Sequence, residues 1–323
     1  IKIRNIHQLN TYFKFYYIVF LIMFISCRHS IHDDYKIAEE KIEAKEWENA
    51  IALLTNIIQK DSSLPEAFQT RGMCYYNAEE YDLASSDFLE AYELNKNPQL
   101  LFNLGIIHIK NAKYVDAVNF LDKYEKFDND NPNLWLQKAL CYNAIEDFNK
   151  ALAYYEKAHD YYEDSISLLR NMAICHFQLS NYSNAVQYLE TLVDTLNDDI
   201  SCFEMLTYSL HVTGRYKKAN EYYNQMVALG FELDDKTQQI FKRNLSLLGI
   251  EQKNAQNFMA AIQTFSQVIT LDPLNKDAFY HRGIVYLHFE RRQEACEDFN
   301  NAFLNGSKEA NSMMKLHCKE FFD

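Results

Sequence analysis

An alanine returns along this chain at a nearly fixed interval, at Ala50, Ala84, Ala117, Ala151, Ala185, Ala219, Ala261 and Ala295. The steps are 34, 33, 34, 34, 34, 42 and 34 residues. Such a period means that one small supersecondary unit is copied, and units of that size bury their apolar faces only by stacking on their neighbours. Length alone would suggest about two domains at roughly 100 to 200 residues each, but a quasi-one-dimensional array escapes that rule. The spacing therefore predicts one continuous solenoid, an architecture that offers a long surface to a partner.

The alanine also sets the phase for the other positions. Twelve residues before it stand Ala38, Gly72, Gly105, Ala139, Ala173, Thr207, Gly249 and Gly283, all small. Three before it are Trp47, Tyr81, Tyr114, Phe148, Tyr182, Tyr216 and Phe258, with Arg292 as the exception. Four after it are Leu54, Phe88, Leu121, Tyr155, Leu189, Tyr223, Phe265 and Phe299. This pattern predicts two antiparallel helices per repeat, with small residues where the backbones approach and bulky ones filling the space beside them. Pro65, Pro98, Pro132 and Pro273 fall at repeat boundaries, where a missing N–H costs little. Gly214, Gly230 and Gly306 are expected in turns or at helix ends, which leaves no glycine for a phosphate loop or a nucleophile elbow.

At these residues, and in segments such as AFQTRGMCYYNAEEYDLASSDFLEAYELN and AFYHRGIVYLHFERRQEACEDFNNAF, the chain resembles the tetratricopeptide repeat family. The resemblance implies an all-α, right-handed superhelical solenoid of about eight antiparallel helix pairs, starting near residues 31, 65, 98, 132, 166, 200, 242 and 276. The first repeat is the weakest match, with Asp34 and Lys41 where bulky residues are expected. The 42-residue step hides an insertion around residues 234 to 241, where Asp234 reads as the start of a lengthened helix and a change in superhelical path is expected. The organisation predicted is repeats one to six over residues 31–233, the helix extension with repeats seven and eight over 234–307, and a capping helix over 308–323. In that last helix Ala310, Met313 or Met314, His317 and Phe321 form the expected packing stripe.

Residues 1–27 read separately. Lys2, Arg4 and Lys14 precede an apolar run from Phe15 to Ile25, about 11 residues against the roughly 20 needed to span a bilayer. That is the layout of an export signal. Phe24, Ile25, Ser26 and Cys27 resemble the bacterial lipobox, with Phe24 where Leu is usual, and imply lipidation at Cys27. An ordinary cleaved signal and a short uncleaved anchor remain as the other readings. Lipidation would hold the chain to a membrane while the repeats stay in water.

Few residues are left for chemistry. The formal charge is −13, and without the first 27 residues 29 basic residues face 45 acidic ones, a balance that repels phosphate backbones and argues against nucleic acid. His108 and His176 stand where other repeats have tyrosine and read as packing residues. No set of ligands at metal spacing is found, and the run Asp128 to Asn131 is cut short as a calcium loop by Pro132. Neither a metal nor a cofactor is expected, and no catalytic residue. Cys74, Cys141 and Cys175 share one slot in different repeats, about 10 Å or more apart at helix-packing distances, beyond the roughly 7 Å a disulfide allows. They read as small buried residues.

The resemblance places the first helix of each repeat on the concave face. There the positions fifteen, eleven and eight before the alanine carry Phe102, Ile106 and Ile109, then Leu136 and Leu140, then Ile174 and Phe177, then Tyr208 and His211. Either this stripe is a contiguous apolar partner surface, or a tight superhelix takes part of it into the core. The function expected is a non-catalytic scaffold for a protein or peptide ligand, lipid-anchored in the bacterial cell envelope, at the outer membrane or periplasmic face. Resemblance to lipid-anchored repeat proteins points to envelope assembly or secretion. The alternative is a carbohydrate-binding lipoprotein of nutrient uptake, against which the small size of the insertion counts.

Overall fold

A computed structural model describes residues 31–163 and 165–321, and every regular element in them is helical. Cys27, and with it the whole export-signal reading, lies outside the described residues. The first helices of successive repeats are α1 (residues 31–43), α3 (Pro65–Asn77), α5 (Gln99–Lys110), α7 (Pro132–Ala144), α9 (Ile166–Gln178), α11 (Ile200–Val212), α13 (Asp235–Asn254) and α15 (Lys276–His288). The second helices are α2 (Trp47–Lys60), α4 (Tyr81–Asn95), α6 (Tyr114–Glu125), α8 (Phe148–His159), α10 (Tyr182–Thr195), α12 (Tyr216–Ala228), α14 (Phe258–Leu271) and α16 (Arg292–Leu304), followed by α17 (Lys308–His317). The chain divides into two compact units, one ending at Tyr161 and one beginning at Tyr162.

Local chemistry explains the boundaries. Pro65 and Pro132 open α3 and α7 at positions with no helical partner for an N–H. Asn131, Ser165, Asp199, Asp234 and Asn275 cap first helices with their side chains, as Ser307 caps α17. The aromatic three before each alanine is the opening residue of the second helix and is half-buried, while all eight alanines are fully buried.

The small residues of the first helices meet the bulky residues of the second. At Gly249 a Cβ would lie 2.7 Å from Cε1 of Phe265, with Cδ1 and Cζ also within 3.0 Å, so the ring of Phe265 rests on the bare backbone. The same seat is filled by Phe88 on Gly72, Leu121 on Gly105 and Phe299 on Gly283. Seven of the eight bulky residues are at most 1% exposed, each contributing about 1.5–3 kcal/mol on burial. The eighth, Tyr223, is half-buried and instead stacks on Phe241 of α13, ring centroids 3.7 Å apart.

Three cations sit beside this seat, one residue before the small position. Arg71 grips Asp87 through Nε and Nη2, both at 2.7 Å, and reaches Thr55 of the preceding repeat at 3.0 Å. Arg282 repeats the arrangement with Asp298 and with Ser266. Lys138, 1% exposed, donates to Asp122, Glu125 and Tyr154 at 2.6, 2.7 and 2.6 Å. Burial opposes its charge, yet those three partners together reverse the effect and raise its pKa. These residues tie consecutive repeats together through polar contacts that the apolar pattern does not reveal. In the weakly matching first repeat, Asp34 and Lys41 are likewise ion-paired, with Lys60 and Glu46.

Two expectations change at the C-terminus. His317 is exposed; Ala310, Met314 and Cys318, four residues apart, make the inward stripe, and Cys318 is bonded to Cys296 of α16 across a Cα separation of 5.6 Å. Cys318 lies beyond the last repeat and has no equivalent slot in the others, so repeat spacing sets no limit on its distance from Cys296. Cys74, Cys141 and Cys175 are buried thiols, pushed up to about 11, about 12 and about 11 by desolvation. Phe321 belongs to a short 3-10 turn, Lys319–Phe321, outside α17.

Gly249→Ala is expected to destabilise the second unit. Overpacking of about 1–3 kcal/mol outweighs the roughly 1 kcal/mol gained in helix propensity. Phe265→Leu in the same chain should recover part of the loss, as Leu54 and Leu189 accommodate Ala38 and Ala173. Urea unfolding of the single and double variants measures the coupling, and additive losses would contradict the seat.

Candidate functional site

All nine residues of the predicted stripe are half-buried, neither sealed in the core nor fully exposed. In the first unit Phe102, Ile106 and Ile109 lie on α5 and Leu136 and Leu140 on α7, two helices in direct contact. Phe102 leans on Tyr124, centroids 5.2 Å apart, and both Phe102 and Ile109 flank the core of that unit without entering it. Each of these side chains is thus partly packed and partly open to solvent.

In the second unit the stripe is drawn into a built site. Phe177 of α9, Tyr182 of α10 and Tyr208 of α11 form a three-ring cluster with edge contacts of 5.6, 5.6 and 5.7 Å. His211 lies one turn further on and is held by Asn244 of α13, Nδ1 to Oδ1 2.5 Å. Ile174 is half-buried on α9. A cleft of about 190 Å³ opens between α9, α11 and α13, floored by Phe177, Met205 and Tyr208 and walled by Asp234, Lys236 and Ile240. The wall is supplied by the eight-residue insertion, because α13 runs for 20 residues and its first turns reach across to α11. Asp234 starts that helix by accepting a hydrogen bond from the Thr237 N–H at 2.7 Å.

The electrostatics of the cleft are uneven. Lys236 holds its ammonium 5.6 Å from the centre of the Tyr208 ring, within cation–π range. Arg170, a second cation near the stripe and on α9, is already taken by Asp199. The Glu204 carboxylate has no hydrogen-bond or ion-pair partner among the described residues, although its backbone carbonyl accepts from Thr207 Oγ1 at 3.0 Å. Burial raises its pKa, and the charge of Asp234 raises it further against a smaller opposing effect of Lys236.

A larger cleft, about 770 Å³, lies where α12 begins beside α13 and α14. Its lysines are spoken for: Lys218 meets Glu190 at 2.5 Å and Lys217 meets Glu221 at 4.0 Å. The histidines singled out in the sequence act in packing, with His108 stacked on Phe120 at 5.1 Å and His176 on Tyr188 at 5.5 Å. Glu204, Asp234 and Lys236 were not singled out as site residues. Glu204 does occupy the stripe position fifteen before Ala219, but an apolar search passes over it.

The hydrogen bonds from Thr237 hold Asp234 below the ordinary carboxylate range. A lowered folded-state pKa means that this cap is in place at neutral pH and is lost as pH falls through that value. Asp234→Ala should therefore speed amide exchange at Thr237 at pH 7 while leaving α9 unaffected, and hydrogen exchange read residue by residue would show otherwise if the wall were held by packing alone.

Three segments match tetratricopeptide repeat families, at residues 65–98, 144–206 and 247–310. A curated relative, the BBSome complex member BBS4 of Xenopus tropicalis, is 29% identical over 90 residues, 27% of this chain and 17% of its own length. The chain thus spans about a sixth of that relative. Among solved structures, a tetratricopeptide repeat protein from Parabacteroides merdae aligns over 90% of this chain and 99% of its own, with a TM-score of 0.50 at 12% identity. The C-terminal part of a repeat-containing protein from Cytophaga hutchinsonii aligns over 76% and 98%, with a TM-score of 0.50 at 16% identity. At such identities the likeness speaks to fold alone. The matches thus detect tetratricopeptide repeats at three segments, and the helix pairs described above have the form of that repeat.

Proposed function

We propose that this chain is a non-catalytic scaffold that binds an apolar or amphipathic peptide segment along the first-helix faces of its repeats, held at a bacterial envelope membrane through a lipid on Cys27. The observation that carries the binding reading is the half-burial of all nine stripe residues. Aromatic and branched side chains fixed by packing on one edge and open on the other lose little rotamer freedom when a ligand covers them. The apolar stripe suits a helix or an extended peptide laid across successive helices. Among the described residues, the shifted pKa values elsewhere go with burial, hydrogen bonds and ion pairs.

Export is supported by the Cys296–Cys318 bridge, since disulfides persist in oxidising compartments and are rare in the reducing cytosol. It agrees with the basic and apolar layout of residues 2–25. No described helix is long and apolar enough to cross a membrane; the attachment proposed is an acyl chain on Cys27, from its place after the apolar run. A place in an envelope assembly or secretion machine follows as the most specific form of this reading.

Two measurements test it. Affinity capture on the native membrane should lose its partner at least tenfold when Phe102, Ile106 and Phe177 are all changed to Glu, with the helical circular dichroism retained; an unchanged partner set in the folded variant would remove the stripe from the proposal. Metabolic labelling with radioactive palmitate should mark the chain and fail with Cys27→Ala, and continued labelling of that variant would exclude Cys27 as the anchor.

A further inference from the structure

We infer that the cleft between α9, α11 and α13 is an anchoring pocket for one basic side chain of the bound peptide, an ammonium or guanidinium that pairs with Glu204 and lies against the ring of Tyr208. The inference rests on the peptide-binding reading above and adds the chemistry by which one position of the peptide is chosen.

Size comes first. At about 190 Å³ the cleft is smaller than the roughly 300–1,000 Å³ of pockets that enclose a metabolite or drug-sized ligand. It suits a single side chain. Its floor is aromatic and thioether, from Phe177, Tyr208 and Met205, which fits the aliphatic stem of lysine or arginine as well as a cation above a ring. Tyr208 is braced by Phe177 and Tyr182, so its face is already in position.

Charge then selects among side chains. The Glu204 carboxylate is part-buried at the cleft with no hydrogen bond or ion pair among the described residues and only a weak influence from Lys236. It is near a second carboxylate, Asp234, whose oxygen is engaged by the Thr237 N–H. An acidic side chain entering would meet both. An apolar one would deepen the burial of Glu204 without pairing it, at a cost of about 1–3 kcal/mol for an unsatisfied polar group. A cation relieves both problems. Lys236 shows that the ring accepts one, for its ammonium already lies 5.6 Å from the Tyr208 centroid. Lys236 is thus an internal occupant of the aromatic half of the site, and an incoming basic group must displace it.

This predicts opposite effects for two substitutions in one cleft. Glu204→Gln keeps the shape and removes the counter-ion. Lys236→Met keeps the aliphatic stem and removes the competitor. The test is selection of a random 12-residue peptide library on the full chain, followed by fluorescence-anisotropy titration of the enriched peptides and of versions with the selected basic residue changed to Met. Enrichment of Arg or Lys at one fixed position is expected, with about tenfold weaker binding to Glu204→Gln and several-fold tighter binding to Lys236→Met, and with the Met peptide insensitive to either change. Peptides enriched for apolar residues alone, or equal binding to all three chains, would overturn the basic anchor and leave the apolar stripe standing. No enrichment at all would overturn both. Thermal melting of the variants checks that each is folded, and the tighter binding of Lys236→Met cannot arise from misfolding.

Discussion

The contact on which the structure depends is the seating of one bulky side chain on one small residue within each repeat. Phe265 on Gly249 and Leu121 on Gly105 bring the two helices of a pair close enough that a methyl group would not fit between them. Close packing at interior density makes such a contact intolerant of volume changes. Once it is made, the alanine one turn before the bulky residue along the same interface must be small as well, and all eight are fully buried. The 34-residue period is the trace of this single contact, repeated because each pair leaves an apolar face that only the next pair covers.

That contact is also what makes the site possible where it lapses. Beside the insertion the small position is held by Thr207 and the bulky one by Tyr223, which turns to stack on Phe241 instead of being sealed. The extra turns of α13 then bring Asp234, Lys236 and Ile240 over the face of α11. A regular repeat presents its first helix to solvent as a shallow stripe; here the stripe gains a side wall, a carboxylate and a cation. Specificity in a repeat protein requires such a departure, because a surface made of equivalent positions offers a peptide several equivalent registers.

Most of the fold was legible because it is written in residues of extreme size. Alanine, glycine, phenylalanine and leucine at fixed phase locate the helix pairs, and proline marks their boundaries. Polar exceptions were not legible in the same way. Lys138 stands in a slot that holds Leu104, Met172 and Leu206 in other repeats, and only the fold brings Asp122, Glu125 and Tyr154 to it. The turns show a related limit. Gly214 marks a left-handed turn residue, but Lys45, Glu79, Ala112, Glu146, Ser180, Gln256 and Glu290 take the same positive φ in the other repeats without a glycine to announce it. The chain tolerates that local cost, on the order of 1–2 kcal/mol each, because the packed helices on either side fix the turn. The Cys296–Cys318 pair escaped for a different reason, since one partner lies past the last repeat and has no slot to compare.

The stripe itself was legible as positions and not as a site. Its nine residues follow from helical phase, yet phase is blind to the insertion, which enters from a different helix. Glu204 illustrates the difference. By phase it is one more stripe position, fifteen before Ala219, and on a regular surface an exposed glutamate would be a solvated charge of little consequence. Placed under α13 it is part-buried and gains Asp234 as a neighbour, while Lys236, whose charge offsets this only in part, lies over Tyr208 without forming an ion pair with it. A repeat array can carry many unsatisfied charges at its rim without cost. One held part-buried in a cleft the size of a single side chain becomes costly once a ligand without a cation covers it, and that requirement selects the chemistry of the ligand more narrowly than any apolar stripe does.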